Sequence, residues 1–165
     1  MLDLMRAWDL AQEDLLLFDP EDSLSSAAQK LLQRRENGVP TPCGIVQDAN
    51  GRFLGTLSTH RVLRAIGKAI DDVGAFKPSA EVDMERAVHA ACHLVGGEPV
   101  KKHMYTKAME VSPRTTLPEL LHRFAATTAH FAVVTEAGRA LGLLDLDDIF
   151  KNFALEMKRP NPVNL

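Results

Sequence analysis

The sequence predicts an α/β fold (α+β), made of two β-α-β-β-α units with one extra helix inserted between them. The first observation is an internal repeat, because the pattern G-R-x-L-G-x-L occurs at residues 51–57 and again at 138–144. The second is that a short apolar run, a proline turn, a hydroxyl residue and a helical pattern precede each copy, at residues 18–24 and 111–117. The third is length, since 165 residues suit one domain or two very small ones.

The first repeat can be followed element by element. An apolar run at residues 15–18 has the length of a strand, and Ser23 then offers an N-cap oxygen to a helix with one apolar face. A β-favouring run from Ile45 ends at the Asn-Gly pair of residues 50–51. This pair indicates a hairpin, because a tight turn needs positive φ at both central residues. Residues 53–57 return as the third strand.

The second repeat follows the same order. A T-x-x-E capping-box spacing begins at Thr116 and opens an amphipathic helix. Residues 130–135 form the next predicted strand, and residues 140–144 return after the turn. Ser58 in the first repeat and Asp145 in the second then stand where they can cap the last helix of each unit.

An inserted helix is predicted between the repeats, within residues 71–99. Pro78-Ser79 opens it and Gly96-Gly97 ends it. Its apolar residues recur at the spacing of one helical face, so this stripe must be buried against the two units or in a dimer contact. The apolar positions are Met84, Ala87, Val88, Ala91, Cys92 and Val95.

The same helix carries a His89, Cys92 and His93 cluster. Two histidines four residues apart can present metal ligands from one face of a helix. Glu85 and both histidines, however, lie opposite the apolar stripe, to which Cys92 belongs. The pattern therefore favours a solvated polar face, and no metal site is predicted.

Composition excludes several classes of protein. The net charge of −3 gives no electrostatic footprint for nucleic acid. Two distant cysteines, Cys43 and Cys92, form no disulfide framework and fit a reducing cytoplasm. No apolar run approaches 18 residues and no signal peptide is evident, so a soluble cytoplasmic protein without a membrane segment is expected. Nucleophile-elbow, P-loop, dinucleotide and H-E-x-x-H motifs are all missing, so no enzyme is predicted.

The two repeats resemble a tandem pair of CBS domains, also called a Bateman module. The leading motif of that family, an apolar residue followed by x-D-x-M, is matched at residues 1–5 and again at 100–104. Its central hairpin pattern is similar to residues 45–55 and 132–142. The resemblance covers about residues 1–70 and 100–155, in the order expected of a tandem pair.

The resemblance implies how the chain is divided. Residues 1–70 and 100–157 would be two CBS-like units packed as a pseudo-symmetric pair. Residues 71–99 would be the linker with the inserted helix. Residues 158–165 are polar and interrupted by prolines, so a flexible tail is predicted there.

The resemblance also implies a non-catalytic regulatory module. Members of the family often hold an adenosyl ligand such as AMP, ADP, ATP or S-adenosylmethionine in the cleft between the units, and no cofactor is obligatory. Their ribose motif is G-x-x-T/S-x-x-D, at the start of the last helix. An aspartate there accepts from both ribose hydroxyls, while free helix N–H groups bind phosphate oxygens.

This chain departs from that motif in both repeats. The first keeps the hydroxyl at Ser58 but has Arg61 in place of the aspartate, which suits phosphate rather than ribose. The second has Asp145 in place of the hydroxyl but keeps the aspartate, Asp148. Asp145 would repel phosphate and still leave ribose recognition to Asp148. Capping alone is the competing explanation for Ser58, Asp145 and Asp148.

Further candidate ligand contacts surround these positions. His60 adds to a small basic patch with Arg61, which a solvated helix face would explain equally well. A hydrophobic wall for the adenine ring is expected in the second repeat. Its candidate residues are Val111, Phe131, Ala132 and Val133.

Two functions stay open at this point. One is a ligand sensor that acts on an unidentified protein partner. The alternative is a dimeric protein-interaction module that has lost nucleotide binding. A homodimer is expected in either case, since the last helices carry apolar stripes too large to leave in water. These stripes consist of Val62, Leu63 and Ile66 in the first repeat and Ile149, Phe150 and Phe153 in the second.

Overall fold

The computed structural model describes residues 4–74 and 83–162. Within these ranges six α-helices and six strands follow one another, with a short 3-10 turn before the fourth strand. In chain order they are α1 (Ala7–Leu10), β1 (Leu17–Phe18), α2 (Leu24–Glu36), β2 (Gly44–Gln47), β3 (Phe53–Leu57), α3 (Thr59–Asp72), α4 (Met84–Gly96), β4 (Glu110–Val111), α5 (Leu117–Ala125), β5 (Phe131–Glu136), β6 (Arg139–Asp145) and α6 (Leu146–Met157).

Each repeat forms its own three-stranded sheet. β1 is parallel to β2, which pairs antiparallel with β3, and β4, β5 and β6 repeat this order. The registers correspond as well, since Val46 lies opposite Gly55 in the first sheet and Val134 lies opposite Gly142 in the second. A helix follows the first strand and another follows the last strand of each sheet. The predicted fold class, with β-α-β-β-α in both repeats, is confirmed.

The two hairpin turns differ from each other. The expected two-residue turn at Asn50-Gly51 is wrong, because only Gly51 has a positive φ there, of 80°. Asp48 instead accepts the backbone N–H of Asn50 at 2.9 Å and holds a longer loop. The second hairpin has the two-residue turn, with φ of 52° at Ala137 and 78° at Gly138.

The inserted helix, α4, packs against α2 and α3 of the first repeat. Asp83 caps it, and Ala91 and Val95 are its buried residues. Of the two arrangements left open by the sequence, contact with a unit is therefore the one observed in the chain. The expected start at Pro78-Ser79 lies outside the described residues.

Only part of the apolar stripe of α4 is buried. Ala91 and Val95, four residues apart, form one row that is covered. Met84, Val88 and Cys92 form the neighbouring row, and all three are exposed. Residues four apart follow one another along a helix, so contact with α3 can cover one row and leave the next open. Cys92 is therefore exposed in the single chain, and burial of this row in a dimer contact stays a prediction.

The chain divides into two compact units whose limits differ from the predicted boundaries at residues 70 and 100. Leu16–Lys107 forms one unit, called here the first-repeat unit, and it includes α4. Met1–Leu15 and Ala108–Leu165 form the other, the second-repeat unit. The segment that precedes the first repeat thus belongs to the second-repeat unit, and the segment that precedes the second repeat belongs to the first-repeat unit.

Backbone pairing at the sheet edges explains this exchange. In the second-repeat unit, Gln12 and Leu143 share two backbone hydrogen bonds of 2.8 and 3.0 Å. In the first-repeat unit, Tyr105 and Thr56 share two of 2.8 and 2.9 Å. β3 and β6 are edge strands, whose free N–H and C=O groups need partners when they are buried. Sequence adjacency does not determine which of the two edges a leading segment joins.

The second glycine of the repeated pattern lies next to the backbone segment that pairs with β3 or β6. A Cβ atom at Gly55 would stand 2.7 Å from the carbonyl oxygen of Tyr105. At Gly142 it would stand 3.0 Å from the Cβ atom of Ala11. The absence of a side chain at Gly55 thus permits the close approach of another backbone, and Gly142 leaves little room for a methyl group.

Some sequence expectations fall on residues that the structure does not describe. The first three residues of the motif at positions 1–5 are among them. The predicted tail, residues 158–165, begins where α6 ends at Met157. Its last part, residues 163–165, is also outside the described ranges.

Candidate functional site

Two helix N-termini stand where the resemblance places ligand contacts, one in each unit. In the first-repeat unit the Ser58 hydroxyl accepts the backbone N–H of Arg61 at 3.3 Å. In the second-repeat unit the Asp145 carboxylate accepts the backbone N–H of Asp147 at 3.0 Å. Both side chains therefore cap their helices, as the competing explanation requires. Contact of either with a ligand stays a prediction.

Arg61 is held inside the first-repeat unit by the segment that leads into the second repeat. Its Nε donates to the carbonyl oxygen of His103 at 3.0 Å, and its Nη2 donates to that of Met104 at 3.4 Å. Its guanidinium carbon also lies 5.5 Å from the centre of the Tyr105 ring. The Nε–Nη2 edge is one that could hold a phosphate bidentately. Because two carbonyl groups occupy that edge, the observed role of Arg61 is to fasten residues 103–105 to α3.

The neighbouring His60 is exposed on α3. Its position leaves it open to solvent, which agrees with the solvated face that the sequence allowed. No described contact assigns it to a ligand, so its inclusion in a binding site stays a prediction.

Asp148 differs from the other carboxylates that occupy the third position of a helix. In α5, Glu119 at this position accepts the backbone N–H of Thr116 at 3.2 Å and closes a capping box. In α6, no such box is formed by Asp148, whose side chain is exposed and has no hydrogen bond or ion pair within the described residues. Only its backbone carbonyl is used, by Asn152 at 2.8 Å. The Asp148 carboxylate is therefore free to accept from a ligand.

The expected adenine wall is divided between the two faces of the second sheet. Alternate residues of a strand point to opposite faces. Phe131 pairs with Asp145 and shares its face, whereas Ala132 belongs to the opposite face with Val111. Val111 and Ala132 are buried in the core against α5, so their observed role is packing. Val133 shares the face of Phe131 but is fully buried. Phe131 alone among the four keeps partly exposed surface.

Comparison with known families agrees with this geometry. The protein-family model described as the CBS domain matches the chain twice, at residues 7–68 and 100–155. The chain belongs to the CBS-domain family. The two matches follow the two sheets, so the protein is a tandem CBS pair, with α4 inserted between the matched regions.

Solved CBS structures share the fold at low sequence identity. The CBS domain of a membrane protein from Sphaerobacter thermophilus has a TM-score of 0.68 and 16% identity, over 91% of this chain and 88% of that one. CBSX2, solved in complex with AMP, has a TM-score of 0.64 and 19% identity, over 93% and 98%. The cytosolic domain of the Mg²⁺ channel MgtE, solved with ATP, has a TM-score of 0.64 and 17% identity, over 89% and 48%. At such identities the likeness shows the fold alone.

Two further findings complete the comparison. No curated protein sequence matches the chain. Among the described residues of this CBS pair, no helix combines the length and the apolar character that a membrane crossing needs.

The first-repeat unit also holds a cluster formed by Glu98, Lys102 and His103. The His103 side chain is only 14% exposed, and its Nε2 atom is buried without a hydrogen-bond partner. The nearest carboxylate oxygen, Oε1 of Glu98, is 3.7 Å away, and Glu98 is itself paired with Lys102. The hydrogen bond from Lys102 lowers the pKa of Glu98. The four-residue spacing of Glu98 and Lys102 was the available signal, but the burial of His103 is a tertiary effect.

Burial also lowers the pKa of His103 below its ordinary value of 6.5, with smaller contributions from the positive charges of Lys102 and Arg61. The Glu98 carboxylate opposes this shift. An unfolded chain would therefore bind a proton at His103 at a higher pH than the folded protein does. The contribution of the neutral His103 to stability is then fully present above pH 6.5, and it is lost as the pH is lowered through the acid range.

This pH dependence can be tested with His103→Gln, which has no titratable group. We expect the melting temperature of the wild type to fall more between pH 7.5 and 5.5 than that of the variant, measured by circular dichroism. Glu98→Gln should enlarge the acid loss, because it removes the charge that favours the imidazolium. Equal losses in the wild type and His103→Gln would contradict the role given to His103.

The polar face of α4 brings two histidines together without a metal cluster. The rings of His89 and His93 lie edge to face with centroids 4.7 Å apart. Within residues 4–74 and 83–162 no three side chains of His, Cys, Asp or Glu gather as metal ligands would. That the protein binds no metal stays a prediction.

Proposed function

We propose that this CBS pair is a non-catalytic regulatory module that binds an adenosyl ligand through its second-repeat unit and acts on a protein partner. AMP, ADP, ATP and S-adenosylmethionine are the candidate ligands, and none is needed as an obligatory cofactor. The observation that carries the proposal is the free carboxylate of Asp148 at the N-terminus of α6. The complexes of CBSX2 with AMP and of the MgtE domain with ATP support this class of ligand.

The chemistry of the second-repeat unit favours the ribose over the phosphates. An ionised carboxylate accepts hydrogen bonds from both hydroxyls of a ribose, and hydrogen bonds to charged groups are the stronger ones. Asp145 and Asp147 add two negative charges within the same turn. We therefore expect binding to weaken with each phosphate, so that ATP binds less tightly than AMP or the cationic S-adenosylmethionine.

A titration of the wild type with the four ligands tests the proposal, by calorimetry and by thermal shift. A ligand at a hundred times its dissociation constant should raise the free energy of unfolding by about 2.7 kcal/mol. A ligand acts as a regulator only if it has different affinities for two states of the module, so its effect on the partner is the second readout. A wild type that responds to none of the four ligands would overturn the proposal.

A second candidate function is a protein-interaction module without a nucleotide site. The observations that favour it lie in the first-repeat unit, where Ser58 is used as a cap and Arg61 is fastened to two carbonyl groups. If this candidate is correct, none of the four ligands binds, and the protein still forms its dimer. The same titration therefore separates the two functions.

A further inference from the structure

The segment through which the chain leaves the first-repeat unit is fastened at three consecutive residues. We call residues 103–105 the exit segment. The carbonyl oxygens of its first two residues accept from the Arg61 guanidinium at 3.0 and 3.4 Å. Its last residue, Tyr105, shares two backbone hydrogen bonds with Thr56 at the edge of β3. All of these bonds lie within one unit, and the chain enters the second-repeat unit at Ala108. The exit segment is therefore the last part of the first-repeat unit that such bonds hold in place.

A buried histidine side chain stands at the start of the exit segment. The His103 side chain is 14% exposed, and its Nε2 atom has no hydrogen-bond partner among the residues that the structure describes. The carboxylate that faces the ring belongs to Glu98, whose Oε1 atom is 3.7 Å from Nε2, beyond hydrogen-bond distance. That carboxylate is already paired with Lys102. A charged imidazole would therefore lose its hydration in this site without gaining a free partner.

Positive charge outweighs negative charge around the buried imidazole. Within the described part of the chain, the charged groups that act on it are Glu98 and Lys102 from its own segment and Arg61 from α3. The pair of Lys101 and Glu21 joins the same segment to the turn before α2, but both side chains are exposed, so water screens them. One carboxylate is thus set against two cations. Burial and these cations lower the pKa of the histidine, because each opposes a further positive charge.

We infer that protonation of His103 releases the exit segment from β3 and from Arg61, so that the first-repeat unit carries an acid-sensitive latch where the chain leaves it. Opening places the imidazolium in water, where it is hydrated and separated from the two cations. The rest of the unit stays folded. The guanidinium edge of Arg61 and the backbone edge of β3 at Thr56 then become accessible. This latch does not depend on the proposed ligand.

Hydrogen exchange followed by NMR tests the release, because the exit segment covers the backbone N–H group of Thr56 and pairs that of Tyr105. Rates are corrected for the pH dependence of exchange in an unfolded peptide. The protection of both groups should then fall about three- to tenfold between pH 7.5 and 5.5. Tenfold is the limit for one histidine that has its ordinary pKa of 6.5 in the open segment.

Two sets of backbone N–H groups serve as internal controls. Ile45 donates to a carbonyl group within the same unit, so its exchange reports unfolding of that unit as a whole. Gln12 and Leu143 form the equivalent edge pairing in the second-repeat unit. All three should lose less protection than Thr56 and Tyr105. Equal losses at Ile45 would show that acid unfolds the unit, and unchanged protection at Thr56 and Tyr105 would show that the ring alone moves. Either result would overturn the inference.

Three variants test the charges behind the latch. His103→Gln should abolish the fall in protection at the exit segment, because glutamine does not titrate. Lys102→Gln should reduce the fall, because it removes one cation and frees Glu98 to accept from the imidazolium. His89→Gln, at an exposed histidine of α4, is the matched control and should retain the whole fall. A fall that persists in full in His103→Gln or in Lys102→Gln would overturn the inference.

Discussion

Gly55→Ala is expected to lower the free energy of unfolding by about 1–3 kcal/mol, the typical cost of forcing an extra methyl group into a packed site. The new Cβ atom would lie 2.7 Å from the Tyr105 carbonyl oxygen and 3.2 Å from the Met104 Sδ atom. The carbonyl belongs to the backbone, so it cannot turn away as a flexible side chain could. The two hydrogen bonds between Thr56 and Tyr105 would have to stretch. Chemical denaturation measures the loss.

Gly67→Ala is the matched control. Gly67 lies inside α3, and a Cβ atom there would meet nothing within 4 Å. The same change should therefore stabilise the protein by about 0.5–1 kcal/mol, because alanine is more favourable than glycine in the interior of a helix. Gly142→Ala, whose new Cβ atom would stand 3.0 Å from that of Ala11, should fall between the two. If Gly55→Ala proved as mild as Gly67→Ala, the close approach described for Tyr105 would be wrong.

Asp148→Ala should weaken binding of the adenosyl ligand by roughly 10- to 100-fold, as expected when a hydrogen-bonded charged group worth about 1.5–3 kcal/mol is removed. The stability of the protein should change much less, by a few tenths to about 1 kcal/mol, since the carboxylate interacts only with the helix N-terminus. Calorimetry on the tightest of the four ligands measures the first effect. Thermal unfolding without ligand measures the second.

Asp147→Ala is the control for this prediction, because Asp147 is the exposed carboxylate next to Asp148. It removes the same charge from the same helix turn, so it should alter affinity far less than Asp148→Ala does. Equal losses in both variants would mean that the general charge of the turn, rather than Asp148, attracts the ligand.

Local spacing determined much of the fold. Ser23, Ser58, Thr116 and Asp145 all accept backbone N–H groups at the starts of their helices, as the sequence predicted. A cap and its partner are two or three residues apart, so sequence alone can place them. The repeated glycine pattern likewise indicated two sheets of the same order. Asp148, as the one aspartate kept from the ribose motif, was also identifiable from the sequence.

Side-chain roles within the site depended on distant contacts. From the sequence, Arg61 is a candidate phosphate ligand. In the structure its guanidinium edge donates instead to the carbonyl groups of His103 and Met104, which lie more than forty residues later in the chain. From the sequence, Val111 and Ala132 are candidates for the wall of a ligand site. In the structure the strand register places both side chains in the core. Neither outcome has a local signal in the sequence.

By itself, then, the sequence determined the two repeats, their order of elements and the helix N-termini that carry the candidate site. The tertiary structure alone decided that residues before each repeat join the other sheet, through Gln12 on β6 and Tyr105 on β3. It also decided that α4 buries one row of its stripe, through Ala91 and Val95. The physical reason is that caps and periodic faces depend on neighbours within one helical turn. Edge pairing and burial depend instead on backbone and side-chain groups that meet only after the chain has folded.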